Sequence, residues 1–187
     1  MTPTRVTVRR ATHHDFDAVA RLLEGFMALH HRWNPEQFRT ALLGFSAAIF
    51  QGWLERQDEL HLAAQTDAGV LGYACATRWE GRGNDFMWAR RGVYIPYIVV
   101  APDQHRKGIG RDLFRAVEAW AEEFEAEYVG LNVNPQNETA KAFYAALGYD
   151  VASEYRAKTL RRFARLSAAR SREWTKERGK AGCKPSR

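Results

Sequence analysis

Cysteine is scarce: Cys75 and Cys183 are the only two in 187 residues. Their separation offers neither a disulfide framework nor a zinc pattern, so a reducing compartment is expected. No apolar run is long enough to span a bilayer. The N-terminus lacks the apolar core of a secretion signal, so the cytoplasm follows by elimination. The nucleotide-triphosphate loop, GxxxxGK followed by Ser or Thr, is missing, which argues against a nucleotide triphosphatase. Histidine comes in two pairs, His13-His14 and His30-His31. Neither pair is spaced i, i+4 on one helix face, and no carboxylate–His motif accompanies them, so no metal is expected. His30 falls on an apolar face and reads as a packing residue or the wall of a pocket.

Acidic residues are scarce in one place only. The formal charge is +6, but residues 161–187 hold ten Lys and Arg against two Asp and Glu, leaving residues 1–160 at −2. The high isoelectric point belongs to the tail. Two segments are therefore expected: a domain over 1–160 and a basic tail over 161–187, helical or disordered. Charge alone would let such a tail hold nucleic acid, though a solvated end is the simpler reading.

What is present centres on residues 94–124. Tyr94 to Val100 is an apolar β-type run. It breaks at Pro102, crosses a polar loop with Gly108 and Gly110, and enters a helical stripe of Ile109, Leu113, Val117, Trp120 and Phe124. A helix start has backbone N–H groups without intrahelical partners and a partial positive charge. Arg106, Lys107 and Arg111 add full charges. The local chemistry suits a phosphate, and more narrowly a diphosphate. The dinucleotide pattern GxGxxG is incomplete, because Leu113 stands at the third glycine position.

The rest of the chain alternates in a regular order. Val6–Arg10 reads as a strand, and Thr12 with Asp15 as a capping box. Phe16, Val19, Leu23, Phe26 and His30 form a helix stripe. A second stripe of Phe38, Leu42, Phe45, Ile49 and Trp53 follows Pro35, which suits a first helical position. Leu60–Ala64 and Val70–Ala76 read as a hairpin about Asp67–Gly69, and 80–91 as a loop. Tyr128–Val133 is a strand, Asn137 an N-cap, and Ala140, Phe143, Tyr144 and Leu147 a helix face closed by Gly148. Tyr149–Val151 and Tyr155–Leu160 are read as closing strands.

Two motifs carry a resemblance. Val100, Pro102, Gly108 and Gly110 match V-x-P-x-x-(Q/R)-x-x-G-x-(G/A), with His105 in place of the Gln or Arg. Asn137, Ala140, Phe143, Tyr144, Leu147, Gly148 and Tyr149 match N-x-x-A-x-x-F-Y-x-x-L-G-(F/Y), beginning 29 residues after Gly108. In this order and spacing they resemble the GCN5-related N-acetyltransferases (GNAT), over most of residues 5–160. The resemblance implies an α/β fold: a mixed twisted sheet of about six to seven strands flanked by helices. Strands four and five would be splayed at an acyl-CoA site. It implies acetyl-CoA as co-substrate and direct transfer of the acetyl group to a primary amine of a small molecule or peptide. Ile98, Val99 and Val100 would lie along the pantetheine, with an oxyanion donor near Ile98 or Val99. The backbone of His105, Arg106, Lys107, Gly108, Ile109, Gly110 and Arg111 would hold the pyrophosphate. Asn137 would bind the pantetheine arm, and Tyr144 would act as the catalytic acid on the departing thiolate. A homodimer is a common outcome in the family.

One position departs from the pattern. Pro96 stands where many relatives carry a strand-four carboxylate, and proline there suggests a bulge or an edge. Glu80, Asp85, Tyr97 or a water chain are the replacements by position. Trp79, Trp88, Tyr94 and Tyr97 suggest an aromatic acceptor pocket. Pro96 and His105 also keep open a CoA-binding sensor or scaffold without transfer activity, while Asn137 and Tyr144 favour the enzyme.

Overall fold

The computed structural model describes residues 5–158 apart from Thr40 and Leu43. Its elements run β1 (Thr7–Arg10), α1 (Phe16–Trp33), α2 (Ala47–Leu54), β2 (Glu59–Thr66), β3 (Gly69–Gly81), β4 (Arg90–Val100), α3 (Ile109–Glu123), β5 (Tyr128–Leu131) and α4 (Glu138–Ala146). The strands form one sheet in the order β1-β2-β3-β4-β5. The first four are antiparallel to their neighbours, and β5 lies parallel to β4.

Strand alternation divides the core into two layers, because successive side chains point to opposite faces. Leu60, Leu62, Ala64, Ala74, Ala76, Val93 and Ile95 face α3, meeting Ile109, Leu113, Phe114, Val117 and Trp120. Tyr73 and Cys75 face α1 and α2, meeting Val19, Leu22, Leu23 and Phe50. Both faces of β2 and β3 are covered, so these strands read as nearly continuous apolar runs.

The start of α1 is tied to β1 by charge. Arg9 donates from both terminal nitrogens to Asp15, at 2.7 and 2.8 Å. The Thr12 N–H donates to the same carboxylate at 2.7 Å. The Arg9 guanidinium holds the Asp15 carboxyl below its ordinary range, against the opposing effect of burial.

Pro96 suggested a bulge or an edge, and a bulge is present. Cys75 lies opposite Tyr97 but Thr77 lies opposite Tyr94, so β4 carries one extra residue there. The consequence is a change of face. Val93 and Ile95 point to the α3 layer; beyond the bulge Ile98 and Val100 do so, while Tyr97 and Val99 point to the α1 and α2 layer.

Three sequence expectations differ from the structure. The second helix begins at Ala47, not near Pro35. Gly44 takes a left-handed φ of +80° and the Ser46 hydroxyl caps the N–H of Ile49, so the apolar period of Phe38, Leu42 and Phe45 continues through irregular chain. The 80–91 loop is shorter, because pairing extends through Glu80 opposite Arg91 and Gly81 opposite Arg90. The sheet has five strands among the described residues, not six to seven. After Gly148, at φ +87°, residues 149–158 join no ladder, and Val151 and Tyr155 are 89% and 92% exposed. Residues 159 and 160 of the expected last strand, and the whole 161–187 tail, lie outside the described residues.

Replacing Asp15 with Ala should cost about 1–3 kcal/mol, since it removes bonds to a charged, largely buried group. Asp15 has a depressed folded pKa. Its contribution is present above the unfolded value and is lost as pH falls through the folded one. Urea unfolding of both proteins should therefore converge on acidification below about pH 4.

Candidate functional site

The site is built where β4 loses its neighbour. The parallel ladder ends at Ile95 opposite Leu131, yet β4 continues to Val100. On the other side β4 stays paired with β3, from Tyr97 opposite Cys75 to Val100 opposite Gly72. Among the described residues, 96–100 thus have no strand partner on the β5 side, where only the Val100 carbonyl accepts a bond, from His105, and the two strands part as expected for strands four and five. Ala101 N–H donates to Leu71 O at 2.8 Å. By alternation Val99 also turns its amide toward β3, and the groups of Ile98 and Val100 face the gap.

The strand ends in a short 3-10 turn, Pro102–Gln104, and then reaches α3. Arg106 takes φ +62° and Gly108 φ +85°. Gly108 is the N-cap of α3, so no side chain closes the first turn, and the amides of Ile109, Gly110 and Arg111 have no intrahelical acceptor. A Cβ on Gly108 would meet nothing within 4 Å, so the cradle is open on the outside. Gly110 has a different reason to be small: a Cβ there would sit 3.2 Å from the Phe143 ring. It sets the approach of α4 to α3 rather than access to the cradle. His105 donates from Nε2 to Val100 O at 2.9 Å, and Lys107 donates to Gln104 at 3.0 Å. Arg106 and Arg111 make no ion pair among the described residues.

On α4, the Asn137 Oδ1 accepts from Ala140 N–H at 3.1 Å, which orients the side chain and leaves its amide nitrogen to donate. Tyr144 packs against Phe114 with ring centroids 5.6 Å apart. Burial pushes its phenol up, so it is protonated at neutral pH. Ile98, Val100, Phe143, Tyr144 and Leu147 all pack on the α3-side core. The cradle, the free strand edge and Tyr144 therefore share one side of the sheet.

The remaining candidates are dispersed. Glu80 faces Arg91, at 3.4 Å, about 20 Å along β4 from Ile98 at strand rise. Asp85 and Trp88 are exposed on the tip of the β3–β4 hairpin. Trp79 packs edge-on against Tyr128. The Tyr94 hydroxyl accepts from Asn132 at 3.1 Å. Of the four aromatics read as a pocket, Tyr97 reaches the α1 side of the gap, and Tyr94, between Val93 and Ile95, is turned to that side as well. There Tyr97 meets Phe26 edge-on at 5.8 Å and lies parallel to Trp53 at 6.3 Å. The His30 ring meets Phe26 at a tilt, with centroids 4.0 Å apart. Phe26 and Trp53 had looked like core members of their helix stripes.

A buried polar chain escaped the sequence reading altogether. His61 is 4% exposed. Its Nε2 meets Glu59 Oε2 at 3.0 Å and its Nδ1 meets the Tyr73 hydroxyl at 2.7 Å. Burial holds the imidazole below its usual pKa, so it is neutral. An acceptor-only carboxylate then fixes the tautomer: Nε2–H donates to Glu59 and Nδ1 accepts from Tyr73. Glu59, His61 and Cys75 have ligating atoms within 4.8 Å of one another. However, both His61 nitrogens are engaged, and burial pushes the Cys75 thiol up to about 12. As folded this is a hydrogen-bonded cluster, because a metal needs a thiolate and a free nitrogen.

This arrangement has the chemistry of a site for an extended ligand with a phosphate end. The chain's likeness to known proteins gives it a class. The sequence model of the acetyltransferase (GNAT) family matches residues 22–149, and the chain belongs to that family. Uncharacterized N-acetyltransferases of Mycobacterium tuberculosis and Mycobacterium bovis are 31% identical over 106 residues, 57% of this chain. The match spans 62% of the length of those relatives. Among solved structures, a mutant of the BH1408 protein from Bacillus halodurans superposes with a TM-score of 0.78 at 24% identity, over 82% of this chain and 99% of that one. An aminoglycoside N-acetyltransferase in complex with CoA gives 0.63 at 15% identity, over 83% and 99%. These two likenesses are of fold.

The neutral, buried His61 makes a pH prediction. Its folded pKa lies below the unfolded value of about 6.5, so its contribution is present above that value and declines as pH falls. Urea unfolding should show stability dropping as pH falls below about 6.5. His61→Gln should flatten that slope and lower neutral-pH stability by about 1–3 kcal/mol.

Proposed function

We propose that this protein is an acetyl-CoA-dependent N-acetyltransferase that moves the acetyl group directly to a primary amine, in the cytoplasm. The domain over 1–160 does the chemistry and 161–187 is a basic extension. The observation that carries the reading is the free edge of β4 at residues 96–100, running straight into an uncapped, glycine-led helix start. A pantetheine arm adds to such an edge as an extra strand does, through backbone hydrogen bonds to Ile98 and Val100. The amides of residues 108–111, with Arg106 and Arg111 beside them, suit a pyrophosphate. Asn137 offers its amide nitrogen to the arm.

Each catalytic role follows from what the residue can do. The Ile98 N–H, directed into the gap, is the donor for the oxyanion that develops on the acetyl carbonyl. Val99, turned toward β3, supports the strand instead. Tyr144 keeps its proton at neutral pH because of burial, and its hydroxyl makes no hydrogen bond among the described residues. It can give that proton to the sulfur as the carbon–sulfur bond breaks. The amine must be neutral to attack. Since Pro96 removes the carboxylate from β4, water along the gap takes that proton.

Pro96 also supports a second reading, a CoA-binding module without transfer. Titration calorimetry and turnover separate the two. Gly108→Trp places a bulky side chain at a left-handed φ beside the cradle and should abolish CoA binding. Tyr144→Phe should keep CoA affinity and lower kcat by about a hundredfold. CoA binding with no turnover on any amine would favour the sensor. No binding by the intact protein would contradict both.

A further inference from the structure

We propose, resting on the acetyltransferase reading above, that the acceptor is a monoamine carried on an aromatic or flat apolar body, held between α1 and β4 by Phe26, Tyr97 and Trp53.

The bulge at Pro96 turns Tyr97 away from the α3 layer, so the free edge of β4 has a different wall on each side. The α3 side holds Tyr144 and the phosphate cradle, which leaves the α1 side for the acceptor. That wall is aromatic. Phe26 and Trp53 both lie against Tyr97, and His30 bridges Phe26 to Phe38, with ring centroids at 4.0 and 5.0 Å. The His30 ring is held by Phe26 O at 3.0 Å, and Phe38 by a bond from His31 to its carbonyl at 2.7 Å. Phe26, His30 and Phe38 lie outside both buried core clusters and are half-buried, so each keeps ring surface free. Rings held in place by their neighbours present contact area at little cost in order.

Charge narrows the class further. A polyamine or aminosugar brings several ammonium groups and needs carboxylates to receive them. Of the carboxylates on or beside this face among the described residues, Glu59 is already engaged by Arg56 at 2.6 Å and His61 at 3.0 Å, Glu55 at the end of α2 accepts from Gln51, and Glu36, in the loop that carries Phe38, is exposed. Asp17 and Glu24, the acids of α1, are exposed, and helical periodicity puts them on the side away from Phe26. The other titratable groups near Tyr97 are Cys75, Tyr73 and Tyr94; burial keeps Cys75 and Tyr73 neutral, and the Tyr94 hydroxyl accepts from Asn132. A single amine is different, because ring faces attract its cationic form during approach and do not oppose its neutral form.

The test is initial-rate acetylation of benzylamine, 2-phenylethylamine and tryptamine beside spermidine and kanamycin. CoA binding is measured separately. The aromatic monoamines should show kcat/KM at least about tenfold above the polycations. Phe26→Ala should raise KM for the best of them about tenfold with kcat nearly unchanged, and Phe26→Tyr should restore it. Circular dichroism and CoA affinity confirm that both variants are folded. Preference for spermidine or kanamycin overturns the proposal, as does an unchanged KM in folded Phe26→Ala. Acetylation of none of the amines by a protein that binds CoA overturns it too. Failure to bind CoA at all overturns instead the acetyltransferase reading beneath it.

Discussion

Everything in the candidate site depends on β4 being a full partner on one side and a half partner on the other. Antiparallel pairing with β3 holds it rigid to Val100, while its parallel neighbour stops at Leu131. A strand with unpaired N–H and C=O groups must find partners, in water or in a ligand. Here that requirement falls in a gap between two packed helical layers, at the entrance to a helix start that is itself short of partners. The bulge at Pro96 adds the asymmetry, because one extra residue decides which side chains look into which layer.

The surrounding chain makes this geometry stable. Ile109, Leu113, Phe114 and Val117 are buried against the sheet, which fixes the direction of α3 and therefore of its first turn. Gly110 lets Phe143 approach, so α4 brings Tyr144 alongside α3. On the other face the Tyr73–His61–Glu59 chain satisfies polar groups that would be costly if left unpaired beneath α2. Trp53 lies over both His61 and Tyr97, with ring centroids at 6.3 Å in each case. It thereby links that buried chain to the rim of the gap.

Much of this was legible in the residues themselves. The Ile109–Phe124 stripe and the Asn137 cap are local signals, and the structure places each as read. Proline in an apolar strand pointed to a bulge or an edge, and the register shift is a bulge. What was not legible depends on contacts distant in sequence. Phe26 and Trp53 have the spacing of core residues, and their meeting with Tyr97 joins three elements far apart in sequence. His61 sits among apolar neighbours on β2, and its partner Tyr73 comes from the next strand. The second helix misled because an apolar spacing of three and four persists through Phe38, Leu42 and Phe45 while Gly44 and Ser46 break the backbone. Residues 149–158 have good strand formers, yet propensity does not supply a ladder partner.

Amide hydrogen exchange with and without CoA addresses the free edge residue by residue. The account predicts new protection at Ile98 and Val100, alternating with little change at Tyr97 and Val99, together with protection of residues 108–111. Protection confined to the loop, or uniform along β4, would contradict the proposal that the ligand pairs with this strand.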